Sequence, residues 1–150
     1  MPAVRRLRKG DESILATLAR EDSDFDLEGR SPAMKPLTRR AARAFLADPN
    51  VLVWVESQRG RVTGFLYCCV VRLRGEAPRE LLLYEIGVRR EHRRQGVGKR
   101  LLAAMQRWMR AQRVAEVWVL ADNPVAVRFY RACGFRIEKD VPVYMTRRVR

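Results

Sequence analysis

Apolar and polar positions alternate along the chain with two periods, one helical and one extended. Val4, Leu7 and their neighbours suit a short first strand. Gly10-Asp11-Glu12-Ser13 supplies a turn and a helix start, followed by Ile14, Leu15 and Leu18 at helical spacing. Between Glu21 and Pro36 the chain is polar and contains Gly29, Pro32 and Pro36, which predicts a loop or broken helix. Thr38–Ala47 reads as a second helix, ended by Asp48-Pro49-Asn50. The β-rich runs Val51–Val55 and Val62–Leu73, separated by the turn Ser57-Gln58-Arg59-Gly60, predict a hairpin. After a loop over Gly75–Arg79, Leu81–Val88 reads as an apolar strand holding one carboxylate, Glu85. Lys99–Arg113 is the clearest helix, with Leu101, Leu102, Met105, Trp108, Met109 and Gln112 on one face and arginines opposite. Glu116–Ala121 predicts a strand, and Asp122-Asn123-Pro124 starts a helix that stops at Gly134. Phe135–Glu138 and Val141–Arg148 predict two final strands. The order βααβββαβαββ predicts a mixed α/β sheet, in a single domain over residues 1–150.

Composition narrows the class. With 31 Lys+Arg against 17 Asp+Glu, the formal net charge is +14. Lys9, Lys35, Lys99 and Lys139 are the only lysines, so the excess is arginine spread over the chain. Such a domain attracts polyanions, whether nucleic acid, anionic membrane or a phosphorylated small molecule. The longest unbroken apolar run, Phe65–Val71, is far short of the roughly 20 residues of a membrane helix. The charged N-terminus lacks a signal-type apolar region, so a cytoplasmic location without membrane association is expected. Cys68, Cys69, Cys133 and the single His92 give no disulfide framework and no metal-ligand spacing. No metal is expected, and the cysteines read as packing thiols.

The sharpest local feature is Arg93-Arg94-Gln95-Gly96-Val97-Gly98, between a strand and an amphipathic helix. Glycines there permit unusual dihedrals, and a helix start adds positive potential, so successive N–H groups suit a pyrophosphate. Arg89, Arg90, Lys99 and Arg100 flank it. The pattern is neither GxxxxGK[ST] nor a dinucleotide fingerprint, since the third glycine is missing. Upstream stands Tyr84-Glu85-Ile86-Gly87-Val88; downstream stands Asn123-Pro124-Val125-Ala126-Val127-Arg128-Phe129-Tyr130-Arg131-Ala132-Cys133-Gly134-Phe135. Over Leu81–Phe135 these strings resemble the GCN5-related N-acetyltransferase (GNAT) superfamily. Within it, the Glu91-His92-Arg93-Arg94-Gln95-Gly96 string is most similar to the aminoglycoside 3-N-acetyltransferase type I group.

The resemblance implies an acetyl-CoA-dependent N-acetyltransferase. It implies that Ile86, Gly87 and Val88 pair with the pantetheine, with the Val88 N–H as oxyanion donor. It assigns the coenzyme A phosphates to Arg93, Arg94, Gln95, Gly96, Val97, Gly98, Lys99 and Arg100. Asn123 orients the pantetheine or simply caps its helix. Tyr130 protonates the departing sulfur, with Phe129 as the packing residue beside it; the competing reading is that Tyr130 itself packs in the core beside Phe129. Glu85 is the candidate general base, because an amine of pKa about 10 is protonated at neutral pH. On strict alternation it points opposite to Tyr84 and Ile86. The competing reading of Glu85 is an ion pair with an arginine; His92 is the alternative base by residue type. Glu21, Asp22, Asp24, Asp26 and Glu28 form an acidic run in a basic chain. It reads either as a solvated loop or, with Glu85, as the rim that binds a cationic acceptor: an aminoglycoside, a polyamine or a basic peptide. The competing functions are protein lysine or N-terminal acetylation, and a non-catalytic acyl-CoA-binding or RNA-associated module. Nucleic acid is disfavoured by the acidic run and by the absence of stacking motifs. A homodimer pairing through Val141–Arg148 is compatible with the resemblance.

Overall fold

The computed structural model describes residues 1–26, 34–75 and 79–150. Residues 1–120 and 121–150 form separate compact units. The first unit is built on five strands, β1 (Ala3–Arg6), β2 (Val51–Gln58), β3 (Arg61–Arg72), β4 (Arg79–Val88) and β5 (Val117–Val119). They lie in the spatial order β1-β2-β3-β4-β5. The first four are antiparallel, and β5 runs parallel to β4. This is the mixed α/β arrangement the order of elements predicts.

Helices cover both faces. On one lie α1 (Glu12–Arg20), the single turn α2 (Asp22–Phe25) and α3 (Arg39–Ala47). Here Leu7, Leu18, Phe25, Leu46, Val53 and Val55 form a buried cluster, with Phe45, Phe65 and Tyr67 packed against it. Thr38 caps α3 by accepting a hydrogen bond from the Ala41 amide at 3.1 Å. The other face is covered by α4 (Val97–Gln112). Its Val97, Leu101, Leu102, Met105 and Met109 are buried, whereas Gln112 is exposed. Cys68 meets Met105 there, and Trp54 meets Trp108 edge-on at 6.4 Å. Burying these five side chains is worth on the order of 10 kcal/mol before entropy is counted. The anchoring fixes the point at which α4 begins.

The second unit contains α5 (Pro124–Ala132). Asn123 caps it, its Oδ1 accepting from the Ala126 amide at 2.8 Å. Gly134, at φ +92°, closes it: the Phe135 amide donates back to the Tyr130 carbonyl at 3.0 Å. The two strands expected over Phe135–Glu138 and Val141–Arg148 are not formed. The alternating pattern is present, but a strand needs a ladder partner, and this unit contains none among its residues. Pro142 also removes a donor. Val141, Val143 and Met145 are accordingly exposed.

Candidate active site

The site is assembled at the end of β4. β5 pairs with β4 only from Leu81 to Leu83, so the following residues lose that neighbour. At the same point β4 carries a bulge: Tyr67 opposes Glu85 while Cys68 opposes Leu83, which leaves Tyr84 as the extra residue. Strict alternation therefore fails. Tyr84 is not opposite to Glu85, because its ring lies 5.5 Å from that of Tyr67, on Glu85's own side. Ile86, paired with Leu66, does face the other way. The Arg89 amide donates to Thr63 of β3 at 2.8 Å. Alternation then turns the Ile86 and Val88 amides away from β3. The Val88 carbonyl on that side accepts from Arg93 Nε at 3.2 Å. Gly87 leaves room for an aromatic pair. A Cβ there would stand 2.5 Å from the Phe65 ring, which meets Phe25 edge-on at 5.4 Å.

A 3-10 turn, Arg90–His92, leads from β4 into the glycine loop. Arg94 (φ +61°) and Gly96 (φ +79°) are both left-handed, and Gly96 is the N-cap of α4. Two such residues before a helix start form a concave run of backbone N–H groups. Val97 and Gly98 are buried beneath it, while Arg94, Gln95 and Lys99 face solvent. Arg93 is half-buried and also donates to the Phe25 carbonyl at 3.2 Å, tying the loop to α2.

Arg100 braces the loop from below. It donates to the Gln95 carbonyl at 2.9 Å and forks onto Glu56, with Nε at 2.7 Å and Nη2 at 3.0 Å. Glu56 is fully buried and also accepts from Gln58 and Thr63. Burial works to raise the Glu56 pKa, but the hydrogen bonds from Arg100, Gln58 and Thr63 outweigh it and hold the carboxyl below its ordinary value.

The acidic run divides into different roles. Arg89, 1% exposed, donates to Glu21 at 2.7 Å, to Asp24 at 3.1 Å and to the Val62 carbonyl at 2.9 Å. Its guanidinium stacks 4.7 Å from the centre of the Phe25 ring. Glu21 and Asp24 thus neutralise a buried cation. Asp22 instead lines a pocket of ≈ 250 Å³ together with Glu85. Asp26 raises the Asp22 pKa after burial has done so. Glu28 lies outside the described residues. Burial, and then the charge of Asp22, push the Glu85 carboxyl up from its ordinary value. Burial likewise raises the Tyr67 phenol, aided by its hydrogen bond with Cys69.

In the second unit, Tyr130 is buried between the rings of Phe129 at 5.4 Å and Phe135 at 5.2 Å. It is more buried than Phe129, the reverse of the expected division of labour. The Asn123 amide is engaged at both ends, capping α5 and donating to Asp122 at 3.1 Å. Sequence reasoning missed Arg89 as a structural cation, Glu56 as the brace for Arg100, and Tyr67 as Glu85's neighbour. Glu56 carried a readable signal, a carboxylate at the end of a β-rich run; the other two carried none. Among the described residues, no group of three His, Cys, Asp or Glu side chains is gathered that could hold a metal ion. No helix among them is long and apolar enough to cross a membrane.

A model of the acetyltransferase (GNAT) family matches residues 15–135. Comparison with curated protein sequences gives no match. Among solved structures, an aminoglycoside acetyltransferase from an uncultured soil metagenomic sample, in complex with sisomicin, aligns with TM-score 0.81 at 22% identity. The alignment covers 98% of this chain and 97% of that one. Aminoglycoside N-acetyltransferase AAC(6')-Iy in complex with CoA aligns at 0.73 and 20%, covering 98% and 95%. Ribosomal-protein-alanine N-acetyltransferase from Brucella melitensis biovar Abortus 2308 aligns at 0.75 and 16%, covering 98% and 99%. At these identities the likeness is one of fold.

Proposed function

The chain belongs to the acetyltransferase (GNAT) family, and from that premise we propose that it moves the acetyl group of acetyl-CoA onto the primary amine of a small cationic acceptor. The observation that carries this reading is the conjunction at the end of β4. A bulged strand loses its β5 neighbour and leads, through one 3-10 turn, into a left-handed, glycine-containing turn capping α4.

These residues fit the coenzyme. The turn at Arg94 and Gly96 offers backbone donors at a helix start, in a basic setting that matches pyrophosphate. Arg93, Arg94, Gln95, Gly96, Val97, Gly98 and Lys99 would hold the phosphates. Arg100 acts by holding the turn in shape, since Glu56 and the Gln95 carbonyl already occupy its guanidinium. Ile86 and Val88 would align the pantetheine along the released edge of β4, whereas the Gly87 amide is turned toward β3, and the Val88 N–H would stabilise the developing oxyanion. Bound there, acetyl-CoA supplies an activated thioester. Glu85 takes the proton from the acceptor's ammonium at its carboxylate, and its raised pKa makes it a stronger base than an ordinary carboxylate. The Tyr130 hydroxyl is assigned the proton for the departing sulfur, and Asn123 the orientation of the pantetheine, both from their places in the motif. Asp22 adds negative charge beside Glu85, which supports a cationic acceptor. The reading places this activity in a single soluble domain working in the cytoplasm, alone or as a homodimer.

The test is a CoA-release assay on the purified chain with aminoglycosides, polyamines, alkylamines and basic peptides. Turnover of a small amine is expected. Turnover of peptides alone would instead favour protein acetylation. Acetyl-CoA binding without any turnover would favour a coenzyme-binding role.

A further inference from the structure

The pocket at Glu85 constrains the acceptor more tightly than charge does. Its ≈ 250 Å³ is equivalent to about eight water molecules at about 30 Å³ each. Among its described lining residues only Asp22, Lys35 and Glu85 carry charge; apart from the Tyr67 hydroxyl the others present hydrocarbon, including Leu15, Phe45 and Phe65. Among the described residues neither Asp22 nor Glu85 has an ion-pair partner, whereas Glu21, Asp24 and Glu56 each do. Two carboxylates are therefore available at one place in a wall of hydrocarbon. Several ammonium and hydroxyl groups placed against that wall would go unpaired, at the cost of their hydration. One ammonium would be paired.

We infer that the acceptor is an amphipathic primary monoamine, an alkylamine or arylalkylamine, whose ammonium meets Asp22 and Glu85 while its hydrocarbon body lies against Leu15, Phe45, Phe65 and Tyr67. The inference rests on the acetyl-transfer reading for its chemistry and on the pocket alone for its selectivity. Polyamines and aminoglycosides are then poor acceptors despite the acidic run, because Glu21 and Asp24 are already spent on Arg89.

The experiment is a homologous series of n-alkylamines from butylamine to heptylamine, with phenethylamine, spermidine and sisomicin alongside. Amine binding is read by calorimetry and acetyl transfer by CoA release. Affinity and kcat/KM are expected to rise about fourfold per methylene, the factor equivalent to about 0.8 kcal/mol per buried CH₂. Leu37→Asp, at an exposed position on the pocket wall, is expected to flatten that slope. A flat series in the natural chain overturns the inference. So does a higher kcat/KM for spermidine or sisomicin than for hexylamine. If the binding slope appears but no CoA is released with any amine, the pocket assignment stands and the acetyl-transfer reading falls.

Discussion

At the scale of single residues, neighbouring acids on one stretch of chain have separate tasks. Asp22 and Glu85 share a pocket, whereas Glu21 and Asp24 face a guanidinium that is otherwise buried. Removing that guanidinium's partners would leave a buried cation, which is the costly way to break such a pair. Glu85 is the residue on which the pH dependence turns. Burial and the Asp22 charge raise its pKa, so it loses its proton at a higher pH than an ordinary carboxyl. Activity should therefore climb through that raised value as pH increases. Asp22→Asn removes the repulsive charge and should shift this limb to lower pH. Glu85→Gln should abolish the limb and reduce kcat by about 10² or more, the usual contribution of a general base. Profiles of kcat/KM against pH for the three proteins check both effects; superimposable curves would exclude Glu85 as the base. Tyr130→Phe should lower kcat while leaving acetyl-CoA affinity intact, as steady-state kinetics and calorimetry will read separately.

At the scale of elements, the glycine turn depends on what stands below it. Glu56 on β2 grips Arg100 on α4, and Arg100 in turn holds the Gln95 carbonyl. Glu56→Gln should cost about 1–3 kcal/mol, the penalty for leaving buried polar groups poorly matched, and weaken acetyl-CoA binding without touching the pocket. The sign of the pH effect follows from the lowered Glu56 pKa. The stabilisation is fully present above the ordinary carboxylate value and disappears as pH falls through the lower, folded value. The Tm gap between the natural chain and Glu56→Gln should thus shrink in acid; a gap that widens would refute the brace. Gly96→Ala places a side chain at φ +79°, a conformation costing about 1–2 kcal/mol. Arg100 Nη1, 2.9 Å from the new Cβ, is a flexible end that can shift. Calorimetry should show weaker acetyl-CoA binding with little change in amine affinity. The helices α1, α3, α4 and α5, the hairpin and the Gly96 turn were legible in the sequence because each is a local matter of period, cap or φ. The bulge at Tyr84 was not, because it exists only as a mismatch between β3 and β4.

At the scale of the molecule, the net charge of +14 favours an anionic coenzyme over the whole surface. Raising salt from about 0.1 M to about 1 M shortens the screening length from about 10 Å to about 3 Å. The Kd for acetyl-CoA should rise several-fold across that range, while alkylamine affinity holds or improves; a titration series at graded salt measures both. α4 begins at Val97, two residues before the Lys99 its apolar period suggests, and the single turn α2 lies where composition predicts a loop or broken helix. The sequence by itself determined that the other helices and the five strands form, and which motif occupies the loop. Those are properties of neighbours in the chain. Tertiary structure alone decided which charges are spent and which are available. Arg89 meets Glu21 and Asp24 across 65 to 68 residues, and Arg100 meets Glu56 across 44. It also decided that Val141–Arg148, for all its alternation, forms no strand in its own unit. Alternation prepares a strand, but a ladder requires a second set of backbone groups at hydrogen-bonding distance, and no pattern within one segment can supply them.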